Sequence, residues 1–206
     1  MRRTTITLLT MLALASVTVV VWGQNSHFKQ GSPKSTDNGL TLTVFGALVG
    51  LGNGDVRLKV GATGNPKAQC CNPSGACKVP GQNPAAANVT SATVNIPSGS
   101  LKNGNTPFSV TTDPPTSPIP GAPECPGSSW TENITGFAFT QAALRIQQSS
   151  AEGLSDFTDV VSACITYNPP TANGAVSSAN FSVVVGSGDP TQAGLGSCPS
   201  SLFPSF

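Results

Sequence analysis

Histidine, charge and aromatic side chains are all scarce in this chain. Its 206 residues include one histidine, His27, and only 9% are Asp, Glu, Lys or Arg. A single histidine in a polar N-terminal stretch cannot serve a Ser-His-Asp or Cys-His device held in a folded core. Without Arg2 and Arg3, eight basic side chains face nine acidic ones, so nothing attracts nucleic acid or an anionic membrane. The sequence therefore predicts a protein that is not an enzyme.

Long apolar runs are absent except near the N-terminus. Residues 1–23 open with two arginines and continue into an apolar stretch from Ile6 to Trp22, the pattern of a secretory signal peptide cleaved near Gly23. The competing interpretation is an uncleaved anchor, but the stretch is slightly short for a bilayer span of about 20 residues. We therefore predict export, to the extracellular space or the cell surface, with no membrane span after cleavage.

Six cysteines form an even set without the C-x-x-C spacing typical of zinc sites and redox pairs. In an oxidising compartment such a set predicts three disulfides. Cys70 and Cys71 are adjacent, so their side chains leave an extended backbone on opposite faces and take different partners. The turn pattern "NPSG" at 72–75 brings Cys77 back toward Cys71. These steps favour three pairs, namely Cys70 with Cys125, Cys71 with Cys77, and Cys164 with Cys198.

Other arrangements remain open from the sequence, since six cysteines allow fifteen pairings. A zinc site built from the first four cysteines is the sharp alternative, although no histidine completes it. The stretches "GNGD" (52–55) and "KNGN" (102–105) offer oxygen ligands for calcium. They fit ordinary hairpin turns better and do not match the EF-hand loop. We therefore predict no metal and no cofactor.

Alternating apolar and polar residues, separated by turn signals, predict an all-β chain. In "VRLKV" (56–60) the apolar residues share one face and the two basic residues share a wet face. Segments 134–148 and 156–167 are typical of a hairpin, with a bulge expected near Gln141 to Ala143. The prediction is an antiparallel, immunoglobulin-like β-sandwich of about seven to eight strands with disulfide-linked loops.

Composition divides the chain into four parts. Residues 1–23 are the predicted signal peptide, and 24–38 are polar and aperiodic, which is typical of a flexible leader. Residues 39–187 form the predicted sandwich domain, and 188–206 form a C-terminal tail tethered by Cys198. Phenylalanines in strand patterns are core candidates, namely Phe45, Phe108, Phe137, Phe139, Phe157 and Phe181.

Some polar and aromatic residues near loops are candidates for a ligand site. A Cys70 to Cys125 bridge would draw the loops 70–84 and 113–130 together, and acidic or aromatic side chains near them can hold an ion or small ligand. The candidates for this ligand site are Asp55, Asp113, Glu132 and Trp130. The N-x-S/T sequons give candidate glycosylation sites at Asn88, Asn133 and Asn180.

Three segments, "CNPSGACKVPGQNP", "KNGNTPFSVTT" and "CPGSSWTENITGFAFTQAAL", carry a resemblance. They resemble small secreted bacterial β-sandwich proteins that have a C-N-P-x-G loop, P-G-Q-N-P, K-N-G-N and C-P-x-x-x-W-T. The resemblance spans roughly residues 40–165, as suits a one-domain chain, and implies a bridge between Cys70 and Cys125. It implies fold and location without chemistry, because that group has no established activity. The chain departs from it after Tyr167.

Together these observations predict a non-catalytic structural or adhesive protein, whose partner is an extracellular protein or surface polymer. The alternative is a module that binds a small ligand or ion through loops 70–84 and 113–130. A weak hydrolase ranks third and needs two carboxylates facing each other across a cleft. An exposed apolar patch or an unpaired edge strand favours the first interpretation, and a concave pocket with converging carboxylates favours the second.

Overall fold

The computed structural model describes residues 25–78, 84–102, 104–118, 125–177, 179–185 and 189–206. These residues form twelve strands, one short helix and two 3₁₀ turns. The strands are β1 (His27–Phe28), β2 (Lys34–Asp37), β3 (Leu42–Val49), β4 (Val56–Cys71), β5 (Cys77–Lys78), β6 (Ala87–Thr90), β7 (Val94–Ile96), β8 (Thr106–Thr111), β9 (Thr131–Gln148), β10 (Thr158–Tyr167), β11 (Gly174–Ala175) and β12 (Ala179–Val185). The helix is α1 (Pro190–Ala193), and the 3₁₀ turns span Ser98–Ser100 and Ser200–Leu202.

The strands form two antiparallel sheets. In the smaller sheet β3 pairs with β1, β2 and β8, and β11 adds to β2. The larger sheet has the order β12-β10-β9-β4-β5, and β6 and β7 also pair with β4. The all-β, antiparallel expectation is confirmed. The strands outnumber the predicted seven to eight because several have only two to four residues.

One apolar core lies between the two sheets. Leu42 on β3 and Val110 on β8 belong to the same buried cluster as Leu58 on β4, Leu144 on β9 and Ile165 on β10. Each of these side chains is at most 1% exposed. Burying a side chain of this size contributes about 1.5–3 kcal/mol to the stability of the fold. Burial of this shared cluster is therefore the main interaction that holds the two sheets face to face.

A bulge in β9 lets both halves of that strand face the core. Phe139 and Leu144 are both fully buried although they are an odd number of residues apart. The pairing with β4 steps from Thr63 opposite Gln141 to Gly64 opposite Phe139, so Thr140 is the extra residue. Sequence parity predicts this bulge near Gln141 to Ala143, one to three residues further along the chain. β9 and β10 form the predicted hairpin.

The predicted leader is part of the sheet, which corrects the boundary drawn at residue 39. β2 pairs with β3 from Lys34 opposite Phe45 to Asp37 opposite Leu42. Ser35 Oγ lies 2.8 Å from the Tyr167 hydroxyl, and the Asp37 carboxylate accepts from Thr171. Burial raises the pKa of Tyr167 well above its ordinary value. These polar side chains are ordered by partners more than 130 residues away.

The C-terminal tail covers the outer face of the larger sheet. Cys198 is bonded to Cys164 on β10, and both pack in a second buried apolar cluster with Ala143, Leu202 and Phe203. At Gly61 on β4 an added Cβ would lie 2.2 Å from the Leu202 carbonyl oxygen. Glycine therefore permits the close approach of the tail.

The face of "VRLKV" expected to be wet is thus partly covered. Lys59 Nζ donates to the Ser205 carbonyl at 2.8 Å, and Arg57 lies between the Phe157 and Phe206 rings. Because the core covers one face of β9 and the tail covers part of the other, every residue from Ala142 to Gln148 is buried.

β4 and β9 form one long ribbon within the larger sheet. Their pairing runs from Val56 opposite Gln148 to Cys71 opposite Thr131. At about 3.3 Å per residue the sixteen residues of β4 span about 50 Å. Strand β4 continues through Cys70 and Cys71, which form the start of the loop predicted at 70–84.

Three disulfides hold one end of the β4–β9 ribbon and the C-terminal tail. The pairs are Cys70 with Cys125, Cys71 with Cys77, and Cys164 with Cys198. They are the three pairs that adjacency and turn geometry favour in the sequence. The first two lie at the far end of the ribbon, and the third holds the tail against β10. Among the cysteines, none is free, so the zinc alternative has no thiolate ligands.

Candidate functional site

The most unusual surface of the molecule is strand β12. It lies at the end of the larger sheet and pairs with β10 from Val161 opposite Val185 to Tyr167 opposite Ala179. Among the described strands, β10 is its only partner. Four of its side chains are large, apolar and 39–49% exposed, and we call them the edge surface: Phe181, Val183, Val184 and Val185.

The edge surface continues the core side of the larger sheet. Phe181, Val183 and Val185 lie opposite core residues of β10 that are at most 1% exposed, namely Ile165, Ala163 and Val161. Directly opposite residues share one face of a sheet. The smaller sheet ends at β11, which has two residues, so it is too short to cover the seven residues of β12. Phe181, expected in the core, is therefore 49% exposed.

The opposite face of β12 meets the tail at Ser182. At Gly196 an added Cβ would lie 2.7 Å from Ser182 Oγ, which puts the tail against the middle of the strand. Val184, two residues further along on the same face, stays 39% exposed. Both faces of β12 thus present valine side chains to solvent.

β12 lacks the devices that usually protect a free strand edge. Natural edges carry charge, proline or a bulge to prevent pairing with other chains. β8 has Pro107 and buries its apolar residues, and the short strand β5 carries Lys78. In contrast, "ANFSVVV" in β12 has no charge and no proline, and its register with β10 runs without a shift. The free edge of β12 is therefore able to form main-chain hydrogen bonds with another strand.

The predicted ligand residues do not converge. Asp55 precedes β4, whereas Glu132 lies opposite Cys70 at the other end of that strand, about 50 Å away along the ribbon. Glu132 is 8% exposed, and its carbonyl accepts from Ser117 at 2.6 Å. Trp130 is half-buried, and its backbone N–H donates to the Gly127 carbonyl. The loops 70–84 and 113–130 are joined by the Cys70 to Cys125 bond, but residues 79–83 and 119–124 lie outside the described part of the chain.

Asp113 is held in place by a hydrogen bond of its backbone. Its side chain is exposed, and its N–H donates to the Thr90 carbonyl at 2.8 Å. The four candidates therefore do not form one ligand site. In the described part of the chain no group of three or more His, Cys, Asp or Glu side chains is placed to hold a metal ion.

Asp55 ties two turns together. One carboxylate oxygen accepts from the Ser98 N–H at 2.8 Å, and the other accepts from the Gly153 N–H at 2.9 Å. These backbone hydrogen bonds, Ser98 first, lower the pKa of Asp55 below its ordinary 3.8. In "GNGD" this carboxylate therefore acts as a turn lock.

We expect Asp55→Asn to destabilise the fold at neutral pH and to weaken its acid dependence. Asparagine has one carbonyl acceptor for two N–H donors, so one donor loses its partner. Because the pKa is lower in the folded state, the carboxylate stabilises above its unfolded pKa of about 4, and this stabilisation is lost as the pH falls through the folded value. Urea unfolding between about pH 7 and pH 2 measures both effects.

The expected signature is a gap between wild type and Asp55→Asn that narrows below about pH 4. Asp113→Asn is the control, because that side chain is exposed and lies in another loop. Parallel stability curves for wild type and Asp55→Asn across the acid range would contradict the assignment.

A charge cluster joins the larger sheet to the tail, with Arg145 and Asp159 buried and Asp189 41% exposed. Arg145 donates to both oxygens of Asp159, at 2.7 and 2.9 Å, and to Asp189 at 3.0 Å. Gln147 also donates to Asp159 and accepts from Arg57. Hydrogen bonding to Asp159 raises the pKa of Arg145, whereas burial lowers that of Arg57. Both carboxylates are engaged by one guanidinium, so they form a structural lock instead of the facing pair that glycoside hydrolysis requires.

A shallow cavity of about 410 Å³ opens beside the ribbon, lined by Asp37, Lys67, Phe137, Thr171 and Asn173 among others. The Asp37 carboxylate accepts from the Gly39 N–H at 2.7 Å and from the Thr171 hydroxyl at 2.6 Å. It therefore serves the turn that connects β2 to β3. None of the four predicted ligand residues lines this cavity.

The three sequon asparagines have exposed side chains on strands, with Asn88 on β6, Asn133 on β9 and Asn180 on β12. Their glycosylation stays a prediction. No helix in the described residues is long and apolar enough to cross a bilayer. The chain matches no known family model, no curated protein and no solved structure.

The exposure of β12 could not be predicted from the sequence for a physical reason. The sequence places Phe181 in a strand and in the core, and the uninterrupted apolar run at 183–185 is itself typical of a strand buried on both faces. The absence of charge and proline in the run is the one local signal that distinguishes β12 from a protected edge.

Proposed function

We propose that this protein is a secreted or cell-surface structural module without catalytic activity, which assembles with other extracellular material through β12. The observation that carries the proposal is the edge surface, where Phe181, Val183, Val184 and Val185 are 39–49% exposed on an unprotected strand. Exposed apolar patches of this kind mark interaction sites, and strand addition to a free edge is a common mode of recognition.

The cross-links support the extracellular setting. Three disulfides are stable outside the cytosol and rare inside it, and the N-terminal pattern predicts export. The immunoglobulin-like topology and the likeness to small secreted bacterial proteins belong to the same proposal. The two packed antiparallel sheets agree with an immunoglobulin-like topology at the level of architecture.

Fractionation of the producing cells tests the function. The full chain is expressed with an epitope tag, and its distribution between surface-bound and freely dissolved material is measured. We expect most wild-type protein in the bound fraction and release of Phe181→Ser into the medium. Leu154→Ser is the matched control, because Leu154 is equally exposed at 49% but lies outside β12. Equal retention of all three proteins would contradict the proposal.

A further inference from the structure

We propose that the partner of β12 is β12 of a second copy, paired antiparallel about a two-fold axis at Val183. This inference rests on the proposed function and names its partner. The strand has seven residues, so it offers an edge about 23 Å long for main-chain hydrogen bonds. A two-fold contact uses the same patch on both copies, which requires the patch to be complementary to itself.

The charge of the edge meets that requirement. No charged residue occurs from Gly174 to Val185. A partner strand with Lys or Glu opposite these valines would bury a charge without compensation. A neutral strand rich in β-branched residues is the matching partner, and β12 itself is such a strand.

The register of the pairing also makes the patch complementary to itself. With Val183 on the axis, Val183 lies opposite its own copy and Phe181 lies opposite Val185 of the second copy. Directly opposite residues share a face, so these apolar side chains meet on the core side of both sheets. The two larger sheets then become one sheet across the axis, and each copy extends the cover over the other's exposed phenylalanine.

Sedimentation of the purified full chain, with its disulfides formed, tests the pairing. A host that adds no N-glycan is used, because the sequon at Asn180 lies in β12. We expect a concentration-dependent dimer. Val183→Lys places two ammonium groups directly opposite each other, and like charges there are destabilising, so its dimer dissociation constant should rise at least about tenfold.

Val184→Lys is the matched control. Val184 and Val183 are the same residue type with the same 39% exposure on the same strand. In the proposed register the residue at 184 lies opposite Ser182 of the second copy, so the two lysines are diagonal neighbours about 7–8 Å apart and not directly opposite each other. Its dissociation constant should change less than about threefold. Thermal melts check that both variants remain folded.

Cysteine cross-linking reads the register directly. Opposite Cβ atoms in antiparallel pairs lie about 4.5–5.5 Å apart, close to disulfide distance. Under mild oxidation Val183→Cys should give a covalent dimer on a non-reducing gel, and Val184→Cys should give little. A monomer at every concentration, or equal effects of the 183 and 184 substitutions in both assays, would overturn the inference.

The two proposals fail differently. A monomeric protein that still loses surface retention on Phe181→Ser keeps the proposed function and rejects the second copy as partner. A two-fold dimer whose surface retention ignores β12 keeps the pairing and rejects the proposed function.

Discussion

Arg145→Ala should lower the free energy of unfolding by about 3–5 kcal/mol, the range for removing one partner of a buried ion pair. The side chains of Arg145 and Asp159 are 9% and 7% exposed, and two hydrogen bonds join them. Without the guanidinium, Asp159 keeps the Gln147 donor and the more distant charge of Arg57, but it loses the cation that is hydrogen-bonded to it. Asp189 and the Pro204 carbonyl lose a donor as well, so the tail loosens with the same change.

Chemical denaturation of the disulfide-intact protein measures this loss. Lys59→Ala is the control, since Lys59 lies on the same face and donates to the tail at Ser205 from a more exposed position. It should cost about 1 kcal/mol or less. The double variant with Asp159→Ala should recover part of the loss, because no unpaired carboxylate then remains buried. A loss below about 1 kcal/mol for Arg145→Ala would show that the cluster does not hold the tail.

Removing the Cys70 to Cys125 disulfide as the paired alanine variant should cost about 4 kcal/mol, the chain-entropy value for its loop. The two cysteines are 55 residues apart in sequence, so the bond strongly restricts the unfolded chain. Cys70 is also 2% exposed, near the C-terminal end of β4. Its replacement by alanine therefore adds a small packing loss of the same sign.

The Cys71 to Cys77 pair provides the comparison. These residues are only six apart, and the same model gives about 2 kcal/mol for their bond. Denaturation of both paired alanine variants measures the difference, and peptide mapping verifies that the remaining bonds are native. Equal losses for the two variants would contradict the dependence on loop length.

Local sequence patterns are enough to predict the long strands and the three disulfides. The adjacency of Cys70 and Cys71 forces divergent partners, and a β-turn selects Cys77 for one of them. The parity change between Phe139 and Leu144 requires a bulge, which lies at Thr140. These features depend on neighbouring residues, so the sequence contains their causes.

The parts that sequence reasoning misplaced depend on remote contacts. Residues 27–37 are polar and aperiodic, yet Ser35 and Asp37 are ordered by Tyr167 and Thr171. The tail has the composition of a loop, yet Phe203 is 4% exposed because it packs on the larger sheet. β12 is uncharged and mostly apolar, and the two-residue strand β11 is too short to cover it. Neither partner distance nor strand length elsewhere is visible in a local pattern.

The β4–β9 ribbon has a consequence for how the chain acquires its structure. Strand β4 ends at Cys71, but its long partner β9 begins at Thr131. The whole intervening segment must therefore be synthesised before β4 and β9 can pair. Chains dominated by such high-contact-order pairings fold slowly, in milliseconds to seconds. Until β9 has paired, β4 is exposed to association with other chains. The rate at which β9 pairs with β4 therefore affects the yield of native protein.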